Sequence, residues 1–203
     1  MNHLPKVIVF DAFGTLVKIK TGRSPYRKLM RWLKENGRAP QPDDAKFIMS
    51  NNVNIKQLTE LFGYIIPLPL WSEIEDDLRD DLQTIELYED TISTLQNLKN
   101  RGYKLALCSN LARYYGEQLK KLIPDLFDLI VLSYEVGHIK PEQQIYAMIE
   151  THFKFDMKEM LFIGDHPVLD VEKPISLGMN ARIINRHQEQ NLLDVLGDLI
   201  TRQ

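Results

Sequence analysis

Short, mostly apolar runs recur along the chain. Val7-Ile8-Val9-Phe10 is followed by runs at 104–108, 129–132, 160–163 and 181–184, each bounded by polar or turn residues. Runs of this kind predict strands buried on both faces of a parallel sheet. Between them lie stretches with helical spacing. Residues 91–100 carry Ile92, Leu95 and Leu98, with Asp90 placed to cap the start and Gly102 beyond the end. Pro141 stands where a first helical turn would begin, and Ile145, Met148 and Ile149 continue it on one stripe. Strands and helices in alternation predict a doubly wound, Rossmann-like α/β core with a parallel sheet.

The alternation breaks between residues 18 and 85. Ser24-Pro25 reads as an N-cap and a first helical residue, and Tyr26, Leu29, Met30 and Leu33 follow at helical spacing before Gly37. Ile55, Leu58, Leu61 and Phe62 repeat the pattern before Gly63, and Trp71, Ile74, Leu78 and Leu82 repeat it after Pro69. These features predict a small all-helical cap, residues 18–85, inserted into a core made of residues 1–17 and 86–203. The acidic run at 73–81 reads as a solvated helix face.

Composition narrows the class. The chain has 203 residues, 44% hydrophobic and 26% charged, which excludes a disordered or fibrous protein. Twenty-five basic residues against twenty-eight acidic ones leave a net charge of −3, so no nucleic-acid partner is expected. One cysteine, Cys108, permits no intrachain disulfide and points to a cytoplasmic setting. No apolar run reaches the roughly 20 residues that span a bilayer, and the apolar run at 7–10 is too short for a signal peptide, so no membrane association is expected.

In an open α/β sheet, ligands bind beyond the carboxyl ends of the strands. Asp11-Ala12-Phe13-Gly14-Thr15 follows the first run, Ser109-Asn110 the second, His138-Ile139-Lys140 the third at a short distance, and Gly164-Asp165 the fourth, with Asp170 beyond it. Taken singly, an Asp after a strand is a turn residue and Ser-Asn is loop chemistry. Together, an acid, a hydroxyl, an ammonium and two more acids fall on one edge of the predicted sheet. Asp11 can attack an electrophile. The hydroxyls of Thr15 and Ser109 can hold anionic oxygens, and Lys140 can neutralise charge between nucleophile and substrate. Asp165 and Asp170 beside Asp11 are costly unless a cation sits among them. An all-oxygen ligand set suits Mg²⁺, and a phosphoryl group is the natural electrophile for such a site.

These stretches carry a resemblance. Residues 7–16 (VIVFDAFGTL), 105–110 (LALCSN), 133–141 (SYEVGHIKP) and 161–179 (LFIGDHPVLDVEKPISLGM) resemble, in order, the four motifs of the haloacid dehalogenase-like (HAD) hydrolases, in the branch with a helical cap after the first motif. The resemblance spans about residues 6–186. It implies a hydrolase with Asp11 as covalent nucleophile and Ser109 and Lys140 as its catalytic partners. Thr15, Ser109, Asn110 and Lys140 would then surround the phosphate of a small phosphorylated substrate. Mg²⁺ would be held by Asp11, the backbone carbonyl of Phe13 and Asp165, with Asp170 supporting it directly or through water.

One departure keeps alternatives open. Family phosphatases usually carry an acid/base Asp two residues after the nucleophile, and here that position is Phe13. Family dehalogenases usually carry an aromatic residue there, but they alter the motif that holds Asp165 and Asp170. Three readings follow: a Mg²⁺-dependent phosphatase slowed by Phe13, a metal-independent 2-haloacid dehalogenase, and a phosphate- or metal-binding protein that turns over poorly. His166, an imidazole beside Asp165, is a candidate substitute for the missing acid. Cys108 reads as a buried structural thiol, and His138 as a loop hydrogen-bonding residue. Lys173-Pro174 reads as a helix-start variation.

Overall fold

The computed structural model describes residues 4–200. Strand β1 (Val7–Phe10) leads into a short β2 (Val17–Ile19), and helices α1 (Pro25–Glu35), α2 (Asp44–Ser50), α3 (Ile55–Leu61) and α4 (Leu68–Gln83) follow. The chain returns through β3 (Ile85–Leu87), α5 (Thr91–Asn100), β4 (Lys104–Ser109), α6 (Arg113–Leu122) and β5 (Leu129–Leu132). Helices α7 (Ser133–Val136) and α8 (Gln143–Phe153), strand β6 (Met160–Gly164), helix α9 (Lys173–Ser176), strand β7 (Asn180–Ile183) and helix α10 (Leu192–Ile200) complete it.

Five strands form one parallel sheet in the order β5-β4-β1-β6-β7, the doubly wound α/β arrangement that the apolar runs imply. β1 is central and all four of its residues are fully buried, because both faces are covered. Successive side chains point to opposite faces. Ile8 and Phe10 join the cluster built with Leu95 and Leu98 of α5, Leu119 of α6 and Leu196 of α10. Val7 and Val9 join the cluster built with Ile145, Tyr146 and Ile149 of α8. Cys108 lies in this second cluster, and burial pushes its thiol up to about 12, which suits a structural role.

The segment between β1 and β4 holds a third apolar cluster of its own, made by Leu29, Leu33, Ile55, Leu58, Ile74 and Leu78. It is joined to the sheet-bearing part by an antiparallel β2–β3 ribbon with Ile19 opposite Ile85, which the apolar pattern does not announce. Helix α2 is likewise unannounced; Arg38 reaches its first residue, Asp44, with two guanidinium bonds of 2.9 and 2.5 Å. Among the described residues, no helix is long and apolar enough to cross a membrane.

Several local expectations are corrected. Ser24 precedes α1 but sits in the left-handed region (φ 56°) and its side chain caps nothing; its backbone N–H instead donates to Asp81. Asp90 precedes α5 without capping it, because its carboxylate is taken by the Arg186 guanidinium at 2.8 and 3.0 Å and by the Leu192 N–H. Asp81 departs from the solvated acidic face: it is 2% exposed and accepts from Thr21 Oγ1, the Arg23 and Ser24 N–H groups and the Tyr115 hydroxyl. Helix α8 begins at Gln143, two residues later than Pro141, because the main chain at Lys140 is held in a loop by Asn110. Lys173-Pro174 does start a helix, α9, with Pro174 in its first turn.

Candidate active site

β1 ends where its ladder stops. The Asp11 N–H still bonds the Ile163 carbonyl of β6 at 2.9 Å, and the chain then turns back on Ala12, whose carbonyl accepts from the Thr15, Leu16 and Val17 N–H groups. Gly14 lies at φ +77°, a conformation that excludes most side chains, and a Cβ there would also overlap the Asp165 carboxylate. The turn therefore sets Asp11 at the carboxyl edge of the sheet against the loop after β6. Gly164, the last residue of β6, plays a similar part, since a Cβ on it would collide with Asp170.

Asp11 is 7% exposed, and the Lys140 ammonium, 2% exposed, donates to its Oδ1 at 2.7 Å. The same ammonium donates to Asp170 Oδ1 at 2.6 Å, and Asp170 Oδ2 accepts from the His166 N–H at 3.0 Å. One oxygen from each of Asp11, Asp165 and Asp170 falls within 4.8 Å of the others. Burial alone would lower the pKa of Lys140, but Asp11 and Asp170 outweigh it and hold the ammonium above its ordinary value. Burial raises the Asp170 carboxyl, and Asp11 adds to that while Lys140 opposes it. Asp165 is the exposed member of the three, yet partial desolvation, then Asp11 and Asp170, raise it as well.

Three ionised carboxylates against one ammonium leave two negative charges on a small patch. The donor set is all oxygen and the glycines beside Asp165 and Asp170 leave them room to converge, so these residues fit a hard divalent cation such as Mg²⁺.

The remaining predicted residues take varied positions. Ser109 closes β4 and is 2% exposed, with no hydrogen bond to its hydroxyl among the described residues. Asn110 spends its whole carboxamide on Lys140: Oδ1 accepts from the Lys140 N–H at 2.7 Å and Nδ2 donates to the Lys140 carbonyl at 2.8 Å. It therefore places the lysine, and its side chain faces the main chain. Thr15 is fully buried; its hydroxyl lacks a partner among the described residues, and its carbonyl accepts from Arg186. Phe13 packs edge-on against Tyr115, ring centroids 6.2 Å apart. The His166 Nδ1 accepts from the Val168 and Leu169 N–H groups, so the ring caps its own turn. His138 bonds Glu142 within its loop, as read from the sequence.

The sequence reading missed Tyr115, Asp81 and Arg186. Arg186 ties the Thr15 carbonyl in the loop after β1 to Asp90 ahead of α5 and stacks on Tyr88 at 4.1 Å. Nothing near Arg186 in the sequence signals this, because its partners lie 171 and 96 residues away.

The profile of the haloacid dehalogenase-like hydrolases matches residues 5–173. Pyrophosphatase PpaX of Bacillus cereus strain G9842 is 31% identical over 99 residues; the match covers 47% of this chain and 44% of that protein, less than half its length. A predicted HAD-like family hydrolase from Porphyromonas gingivalis superposes with a TM-score of 0.69 at 19% identity, covering 99% of this chain and 100% of that one. A HAD family enzyme from Bacteroides thetaiotaomicron, solved with magnesium and inorganic phosphate, superposes with a TM-score of 0.65 at 18% identity, covering 88% of this chain and 93% of that one. A family match over this much of the sequence, joined to a fold shared with those structures, makes this protein a member of the haloacid dehalogenase-like hydrolases.

Proposed function

We propose that this hydrolase is a Mg²⁺-dependent phosphatase of small phosphate esters, with residues 18–85 acting as a cap over the core. The observation that carries the reading is the convergence of Asp11, Asp165 and Asp170 within 4.8 Å, with Lys140 bridging the first and last. Three carboxylates this close repel one another, and a bound cation offsets that repulsion. The pyrophosphatase relative and the magnesium- and phosphate-bound structure support the same chemistry.

Asp11 attacks phosphorus in line with the leaving oxygen. The new bond joins Asp11 to phosphorus, and the bond from phosphorus to the leaving oxygen breaks. Lys140 offsets the charge gathered at Asp11, and the Ser109 hydroxyl donates to a phosphoryl oxygen. Asp11, the Phe13 carbonyl and Asp165, with Asp170 in support, would hold Mg²⁺, which when bound would supply positive charge against the phosphoryl oxygens. Phe13 has no proton to give, so the departing oxygen is protonated from solvent. Water then attacks the aspartyl-phosphate, releasing phosphate and restoring Asp11.

Phe13 favours one competing reading, the displacement of halide from a 2-haloacid, which needs no acid for its leaving group. Phosphate release from a panel of phosphate esters and pyrophosphate, with and without Mg²⁺, decides between them when halide release from 2-chloropropionate is followed alongside. Metal-dependent phosphate release is expected. Metal-independent halide release with no phosphate release would overturn the proposal.

A further inference from the structure

Phe13, Ile19, Leu111 and the Tyr115 ring wall a cavity of about 240 Å³ whose polar groups are Ser24, Asp81 and the Tyr115 hydroxyl, which is bonded to Asp81. Phe13 lies two residues past Asp11, and Leu111 two residues past Ser109, so the cavity borders both loops that carry the proposed chemistry. Ile19 comes from β2, Ser24 from the residue before α1 and Asp81 from α4, so the cavity lies where those segments meet the loops after β1 and β4. Its lining contains no Lys, Arg or His. Asp81 is fixed in place: the Arg23 N–H at 2.8 Å, the Ser24 N–H at 3.2 Å, Thr21 Oγ1 at 3.2 Å and the Tyr115 hydroxyl at 2.8 Å all donate to it. A second anionic group placed here would lose its water, find no cation and meet a carboxylate. An apolar group would gain from the same walls.

We propose that this cavity receives the leaving group of the ester and selects small, uncharged, apolar ones, excluding those that carry their own carboxylate or phosphate. The inference rests on the phosphatase reading and adds a substrate class to it. Neighbouring cations are engaged elsewhere: Arg23, between the lining residues Gly22 and Ser24, is exposed and paired with Asp80. Lys18 and Arg186 line a separate cavity beside Asp165 and are paired with Glu86 and Asp90.

The test compares phenyl phosphate with 3-carboxyphenyl phosphate at neutral pH with Mg²⁺, since the two phenols differ little in basicity but one leaves with an added charge. At least a tenfold higher kcat/KM is expected for phenyl phosphate, equivalent to about 1.4 kcal/mol. Equal rates, or a preference for the anionic ester, would overturn the inference while leaving the phosphatase reading standing. Leu111→Arg, shown folded by thermal unfolding, is expected to narrow or reverse the ratio; an unchanged ratio in the folded variant also counts against it. If neither ester is hydrolysed, the phosphatase reading fails by itself. Calorimetric binding of phenylphosphonate against 3-carboxyphenylphosphonate then decides, with equal affinities overturning the selection and a tenfold preference for the neutral ligand upholding it.

Discussion

Phe13 stands two residues past Asp11, where the phosphatase reading would otherwise place an acid/base. Its ring packs on Tyr115 at 6.2 Å and against the main core cluster. One positioned acid/base is worth roughly 10²–10⁴-fold in rate. Aryl phosphates, whose leaving groups need little help, should therefore phosphorylate Asp11 faster than the enzyme clears it. Rapid mixing with an aryl phosphate is expected to show a burst followed by a slow steady state. Phe13→Asp is expected to raise the steady-state rate by about tenfold or more, at a packing cost of about 1 kcal/mol read from thermal unfolding. A fast wild-type trace without a burst would mean that another group supplies the proton; the His166 Nδ1 is an unsuitable source, being occupied as an acceptor for two N–H groups. Asp11→Asn keeps the shape of the residue and an acceptor for Lys140 but removes the nucleophile. Phosphate release is expected to vanish while the far-ultraviolet circular dichroism stays unchanged.

Among the elements, the start of α2 shows how a helix with little apolar signal is held. Asp44 accepts two bonds from Arg38 and one from the Gln41 N–H at 2.8 Å, and the guanidinium stacks over Phe62 at 4.0 Å. The Arg38 bonds hold the Asp44 carboxyl below the usual carboxylate range. A carboxyl whose folded pKa is depressed contributes stability above its unfolded value, near 3.9, and loses it as pH falls through the folded value. Asp44→Asn is thus expected to unfold at a lower temperature than the wild type at neutral pH, by about 1–3 kcal/mol of stability. The gap should close as the pH drops below about 4. Melting curves across that range check the sign, and a gap that widens in acid would contradict it.

For the molecule as a whole, the unbalanced charge at the sheet edge links folding to metal. Asp11, Asp165 and Asp170 face a single ammonium, so a cation that binds only the folded chain stabilises it by mass action. At a hundredfold excess over Kd the gain is about 2.7 kcal/mol, which for a domain of this size is a rise in Tm of about 5–10 °C. Thermal unfolding with and without millimolar Mg²⁺ measures it. Asp165→Asn is expected to blunt the response, and a variant responding like the wild type would remove Asp165 from the ligand set.

What was legible in the sequence is what depends on neighbours along the chain. β1, β5 and β6, and the interior of β4, are continuous apolar runs because a strand covered on both faces has no polar side to show, whereas the edge strand β7 carries Asn180 and Arg182. The acids, the serine and the lysine at the strand ends were readable for a related reason: a parallel sheet carries whatever follows its strands to one edge. The β2–β3 ribbon was not readable, since each strand has three residues and their pairing spans more than sixty positions. Side-chain partners were decided by the tertiary structure alone. Asp90 and Ser24 have the residue types of helix caps, yet Asp90 takes Arg186 from 96 residues away and Ser24 yields its N–H to Asp81. Asp81 looks like its acidic neighbours on α4, but the helix turns it toward Tyr115 and the entering chain, where four donors meet it. Periodicity says which face of an element is buried; which charge meets which depends on the packing of elements remote in sequence, and only the folded chain contains that information.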